Sequence, residues 1–154
     1  MAAHGLQERR NTLAKLKTIN GGRAWQGSVD DEAIIPRHTE DGSVMAYAVI
    51  TFGAPVKTKR DRNLTNSELG QPHVLGATIA CVAGDPDDAQ DLMADVIELL
   101  VDWKPSESAD AYEAKGGFGS RRPATENVPT RYIEGLYLET TVNQGVDWDH
   151  SVQN

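Results

Sequence analysis

The side chains able to do chemistry in this chain are scattered rather than clustered. The four histidines, His4, His38, His73 and His150, fall in different loops or termini, none beside a cysteine or a second histidine at metal-ligand spacing. Cys81 is the single cysteine, which excludes an intramolecular disulfide and points to a non-secreted setting. No Gly-x-Ser-x-Gly elbow is present to raise a nucleophilic serine. Asp85-Pro86-Asp87-Asp88 offers carboxylates but lacks the glycine and terminal glutamate of a calcium loop, and every one of its residues suits a helix start instead. Gly116-Gly117-Phe118-Gly119-Ser120-Arg121-Arg122 has the glycine content of a phosphate cradle without the Walker lysine or a flanking strand and helix. It reads as a flexible loop, with Arg121 and Arg122 as candidate contacts. No catalytic, metal or cofactor constellation emerges, and the expectation is a protein that is not an enzyme.

Charge is the more informative property. Over 154 residues, 15 Lys and Arg stand against 23 Asp and Glu, a net charge of −8. A general nucleic-acid binder works by neutralising phosphates and would carry the opposite balance. The charge is also unevenly placed. Lys57, Lys59, Arg60 and Arg62 form a basic knot, either a solvated loop or a docking arm for an acidic surface. Asp88, Asp91, Asp95, Glu98 and Asp102 gather on one stripe of a predicted helix with no Lys or Arg among them. Like charges at i, i+4 repel, and Glu98 and Asp102 sit at the negative end of the helix dipole. Compensation would come from a basic partner, a neighbouring copy, or a need to repel a polyanion.

The elements that must position these groups can be read from hydrophobic periodicity. Leu6, Leu13, Leu16 and Ile19 predict an amphipathic helix over 5–19, with Glu8 and the basic residues on its other side, ending at Asn20-Gly21-Gly22. A short strand is expected at 23–29 and a solvated acidic loop at 30–43, with Ile34 and Ile35 its only buried residues. The run 44–52 predicts a strand covered on both faces; 74–83 predicts a second, antiparallel to it across a long polar connection. Asp85 as cap and Pro86 at the first turn open a helix over 86–103, whose apolar arc is Leu92, Met93, Val96, Leu99, Leu100 and Trp103. Residues 105–129 read as polar and broken, and 131–142 as the last strand. A single α+β domain over 1–143 is expected, with a mixed or antiparallel sheet of about four strands and two helices on one face, followed by a polar tail over 144–154. No segment is apolar enough for a signal peptide or a membrane span.

This order, from the leading helix through the Tyr47-Ala48-Val49-Ile50-Thr51-Phe52 strand, the polar arm, the strand ending in Gly84-Asp85, the acidic helix and the final strand, resembles the tail terminator family of long-tailed, siphovirus-type bacteriophages. The resemblance spans about residues 6–143 and rests on element order and the strand-Gly-Asp-helix junction, not on a fixed motif. It implies a structural virion protein at the head-proximal end of the tail, assembled in the host cytoplasm. Its protomers would form a ring, by family a hexamer, that caps the tail tube, stops its growth and joins the head-side connector. The implied partners are further copies of itself, the tail tube protein and the connector, with DNA only as passing cargo, no membrane and no cofactor. The basic knot and acidic stripe would then be complementary patches of a cyclic assembly, or the stripe would line the lumen. Two alternatives stand beside it: another neck or tail-completion protein, and a small anion-binding domain or enzyme using the Gly116 to Arg122 loop.

Overall fold

A computed structural model describes residues 5–31, 35–57 and 72–142. The chain runs α1 (Leu6–Leu16), a 3-10 turn (Asn20–Gly22), β1 (Ala24–Gln26), β2 (Tyr47–Phe52), β3 (Val56–Lys57), β4 (His73–Ala83), α2 (Pro86–Leu100), β5 (Glu113–Arg122) and β6 (Arg131–Val142). Five strands form one mixed sheet in the order β1-β2-β4-β6-β5, and the two-residue β3 continues the β2 edge along β4. β1 and β2 are parallel, and all other pairs are antiparallel. The fold class is α+β.

The strands with strong apolar patterns sit in the middle. β2 pairs antiparallel with β4, as the two apolar runs require, and β4 pairs along its whole length with β6. Successive side chains on a strand alternate between faces. On the first face Ala48, Ile50, Ala77, Ile79, Cys81, Leu136 and Leu138 share one core with Leu16, Leu92, Val96 and Leu100 from the helices. On the second face Tyr47, Val49, Ala80, Val82 and Ile133 pack with Ile35, Val44 and Val128 from the connecting loops. Burying a Leu, Ile or Val stabilises the fold by roughly 1.5–3 kcal/mol per side chain, so these two layers supply most of the driving force. Of the two residues expected to be buried in the acidic loop, Ile35 is buried and Ile34 lies outside the described residues.

Several expectations need correction. The segment 113–122 is a strand rather than a broken loop, so two strands follow α2, not one. Nine of its ten residues are exposed, and it is held by backbone pairing to β6, which leaves no hydrophobic alternation to read. The second helix ends at Leu100, not at 103. Val101 is extended, Asp102 turns left-handed at φ 70, and the Asp102 N–H donates to the Tyr112 carbonyl at 2.9 Å. That pairing with 112 replaces a further helical turn. The first helix likewise stops at Leu16, and Gly21 and Gly22, both at positive φ, belong to the separate 3-10 turn.

Glu8, expected on the solvated side of α1, is buried at 5% exposure. Its carboxylate accepts from Ser106 Oγ at 2.6 Å, and its carbonyl accepts from Thr12 Oγ1 at 2.7 Å. With the Thr12 proton so used, the fully buried Tyr112 hydroxyl, 2.8 Å away, donates to Thr12 Oγ1. Asn11 adds a bond to the Pro105 carbonyl at 2.8 Å. The strap that leaves α2 is thereby tied across α1.

Burial pushes the Cys81 thiol up to about 12 from its ordinary 9.0, and the Tyr112 hydroxyl up to about 12 from 10.0. The folded protein holds both protons more tightly than the unfolded chain does. The contribution of these groups to stability is therefore complete below about pH 9 and falls as the pH rises toward 12. Thermal melting across this range should show that alkaline decline, with Cys81→Ala removing its lower part. At neutral pH Tyr112→Phe should cost about 1 kcal/mol in urea titration, the typical value of one such hydrogen bond.

Candidate functional site

The acidic stripe is partly assembled by α2. Asp85 caps the helix, its Oδ1 accepting from the Asp87 N–H at 2.8 Å, and Pro86 occupies the first turn. Ala89, Leu92, Val96 and Leu100 are buried, with Met93 and Leu99 packed beside them. That orientation turns Asp87, Asp88, Asp91, Asp95 and Glu98 to solvent. Among the described residues none of these five carboxylates lies in an ion pair. Asp102 leaves the stripe, because the helix has already ended. It occupies a left-handed position that Asp tolerates better than branched residues do. Trp103, expected on the helix's apolar arc, instead stacks on Tyr112 with centroids 6.4 Å apart and carries Lys15 Nζ over its ring.

Of the basic knot, Lys57 has its backbone in β3, while Lys59, Arg60 and Arg62 lie outside the described residues.

The Gly116 to Arg122 segment does not close around anything. As neighbours on a strand, Arg121 and Arg122 project to opposite faces. Arg122 Nε is engaged with Asp30 Oδ1 at 3.2 Å. The small cavity beside this strand, about 100 Å³, is lined by Pro86, Gln90, Ser120 and Glu134, so its charged group is a carboxylate. Two arginines that diverge, next to a carboxylate, do not make an anion site. Among the described residues no group of three His, Cys, Asp or Glu is arranged to hold a metal ion, and no helix is long and apolar enough to cross a membrane.

Sequence reasoning missed a buried arginine. Arg131, at the start of β6, is 4% exposed. One terminal nitrogen donates to the Val29 carbonyl at 2.6 Å and reaches the Tyr47 hydroxyl at 3.5 Å, and the other lies 3.4 Å from Asp30 Oδ1. Tyr47 itself donates to Val29 at 3.2 Å and stacks on Trp25, centroids 5.1 Å apart and rings 10° from parallel. Burial raises the Tyr47 hydroxyl above its ordinary range, and Arg131 opposes that rise. Arg122 and Arg131, paired across β5 and β6, thus share one carboxylate and lock the 27–31 loop over the second face. The signal in sequence was weak, since Asp30 lies 101 residues from Arg131.

A second missed feature is aromatic. Phe118 and Tyr137 are exposed, with ring centroids 5.5 Å apart. Phe118 can lie on β6 only because Gly135 has no side chain, since a Cβ there would come within 2.0 Å of its ring.

Two substitutions test this reading. Arg131→Ala leaves the Val29 carbonyl only the longer bond from the Tyr47 hydroxyl and empties a buried space, and should cost about 3 kcal/mol. Asp30→Ala should cost only about 1 kcal/mol, because that carboxylate is half in solvent. Equal losses in urea denaturation would contradict the asymmetry. Asp102→Val should destabilise by about 1–2 kcal/mol, the price of a left-handed branched residue, while Asp102→Gly should be tolerated. No protein-family model matches this chain, and no curated protein matches it.

Proposed function

We propose that the protein is a structural virion component of the tail-terminator kind, whose protomers close into a ring on the tail tube and present a surface to the head-side connector. The reading rests on the resemblance in element order and on one observation, the exposed acidic face of α2. Asp87, Asp88, Asp91, Asp95 and Glu98 crowd five negative charges onto one helix with no basic neighbour in ion-pair range among the described residues. Such crowding costs helix stability. A use outside the protomer explains its presence: attraction to a basic patch on the next copy, or repulsion of DNA passing through a lumen. The shared core of Leu16 with Leu92, Val96 and Leu100 is compatible with the two-helix layer of the proposed protomer.

In this reading the ring is hexameric, the protein sits at the head-proximal end of the tail, and the basic residues Lys57, Lys59, Arg60 and Arg62 supply the patch complementary to α2. Catalysis and cofactors play no part in it. The divergence of Arg121 and Arg122 weighs against the anion-binding alternative.

Native mass spectrometry of the purified protein, alone and with tail tube protein, tests the proposal. Rings, free or on tube ends, are the expected species, and a strict monomer that never joins tubes would overturn it. Detection at a neck position instead of the tube end would assign the protein to head closure. Replacing Asp91 and Asp95 by Asn and Glu98 by Gln should leave the protomer as stable or slightly more so, by a few tenths of a kcal/mol per relieved pair. The same replacement should abolish ring formation or tube capping.

A further inference from the structure

Arg9 differs from the other partly buried arginines of this chain. Arg23, Arg37, Arg122 and Arg131 each donate from the guanidinium to a backbone carbonyl or to the Asp30 carboxylate. Among the described residues the Arg9 guanidinium has neither a hydrogen bond nor an ion pair, although its Nε is buried. An exposed guanidinium is satisfied by water, whereas a buried N–H needs an acceptor placed beside it.

A cavity of about 210 Å³ opens at this point, lined by Leu6, Arg9, Arg10 and Leu13 of α1 and by Gln26 of β1. The four helix residues stand at i, i+3, i+4 and i+7, which puts them on one face of α1. The helix buries a different face, that of Glu8, Thr12 and Leu16. β1 is the edge of the sheet, so among the described residues no strand lies beyond Gln26. The result is a groove between the first helix and the edge strand.

Its charge is of one sign. Arg9 and Arg10 line it together, no Asp or Glu does, and Glu8, the single acid of α1, is turned to Ser106 instead. Leu6 and Arg9 belong to the first turn of α1, where the helix dipole adds positive potential. Gln26 contributes a neutral amide, and Leu6 and Leu13 form an aliphatic wall. An occupant must therefore match guanidinium at one end and hydrocarbon at the other. A carboxylate meets the guanidinium fork with two parallel N–H···O bonds. Inorganic phosphate would satisfy the arginines and leave the leucine wall without a partner. A cavity of about 150 Å³ takes benzene, so one of this size takes roughly eight heavy atoms.

We propose that the groove between α1 and β1 binds a short aliphatic monocarboxylate, with its carboxylate on Arg9 and Arg10 and its chain along Leu6 and Leu13. The bound acid gives the buried Arg9 Nε its missing acceptor and clamps the first helix to the edge strand. This site uses none of the carboxylates of α2 and does not depend on the assembly reading.

Hexanoate has the required size, and its titration into the isotope-labelled full-length protein, followed by nuclear magnetic resonance, tests the proposal. Saturable amide shifts at Leu6, Arg9, Arg10, Leu13 and Gln26 are expected. Acetate, hexanamide and inorganic phosphate, each lacking one half of the match, should bind at least about tenfold more weakly. Arg10→Gln, at an exposed position, and Arg9→Lys, which keeps the charge but not the fork, should each weaken hexanoate binding about tenfold with the far-ultraviolet circular dichroism unchanged. Absence of saturable shifts in the groove would overturn the proposal, as would hexanamide or phosphate binding as tightly as hexanoate. Binding that survives both substitutions would place the acid elsewhere and equally overturn it.

Discussion

β4 must be covered on both faces, and the rest of the molecule is organised by that requirement. Like β6, it has partners along both edges for most of its length, β2 and β3 on one side and β6 on the other. Leu75, Ile79, Cys81, Val82 and Ala83 on it are completely buried. A strand so placed cannot be completed by its neighbours in sequence. Leu16, Leu92, Val96 and Leu100 of the helices share a core with one face, and Ile35, Val44 and Val128 of the loops pack on part of the other. The two contributions differ in kind: a helix satisfies its own backbone and buries one apolar stripe, whereas loops must find partners for their backbone before they can cover anything.

That difference explains where the buried polar groups sit. Each of the two networks fastens an irregular segment to a regular one. Arg131 reaches from β6 to the Val29 carbonyl and the Asp30 carboxylate, so the 27–31 loop is held by charge-assisted bonds rather than by apolar area. Tyr112, Thr12, Glu8 and Ser106 do the same for the strap after α2. Among the described residues, Arg131 Nε and Glu8 Oε1 have no hydrogen-bond partner, so each fastening uses only part of its donor and acceptor capacity within the protein.

The sequence made some of this legible and concealed the rest for identifiable reasons. The 131–142 strand, the antiparallel pairing of the two apolar runs and the Asp85 cap were readable because burial on a strand and capping at a helix start depend on local residue types. β5 was not, because an edge strand held through its backbone needs no apolar pattern, and Gly116-Gly117-Phe118-Gly119 reads as loop by composition. The end of α2 was misplaced by three residues since Asp102 and Trp103 fit a helical wheel, and only the pairing with Tyr112 competes with it. The acidic face of α2 was visible residue by residue, except for Asp102. The Asp30, Arg122 and Arg131 cluster was invisible, being assembled from three segments with no shared motif.

The bonds that join α1 to the strap span most of the chain, with Thr12 and Tyr112 separated by 100 residues and Asn11 and Pro105 by 94. During synthesis at about 5–20 residues per second, the first helix is made some 5–20 seconds before the tyrosine that completes its polar face. Throughout that interval Thr12 lacks its Tyr112 partner and Leu16 lacks the α2 side chains it packs against in the finished core. The first helix therefore cannot complete its contacts until residue 112 has been made.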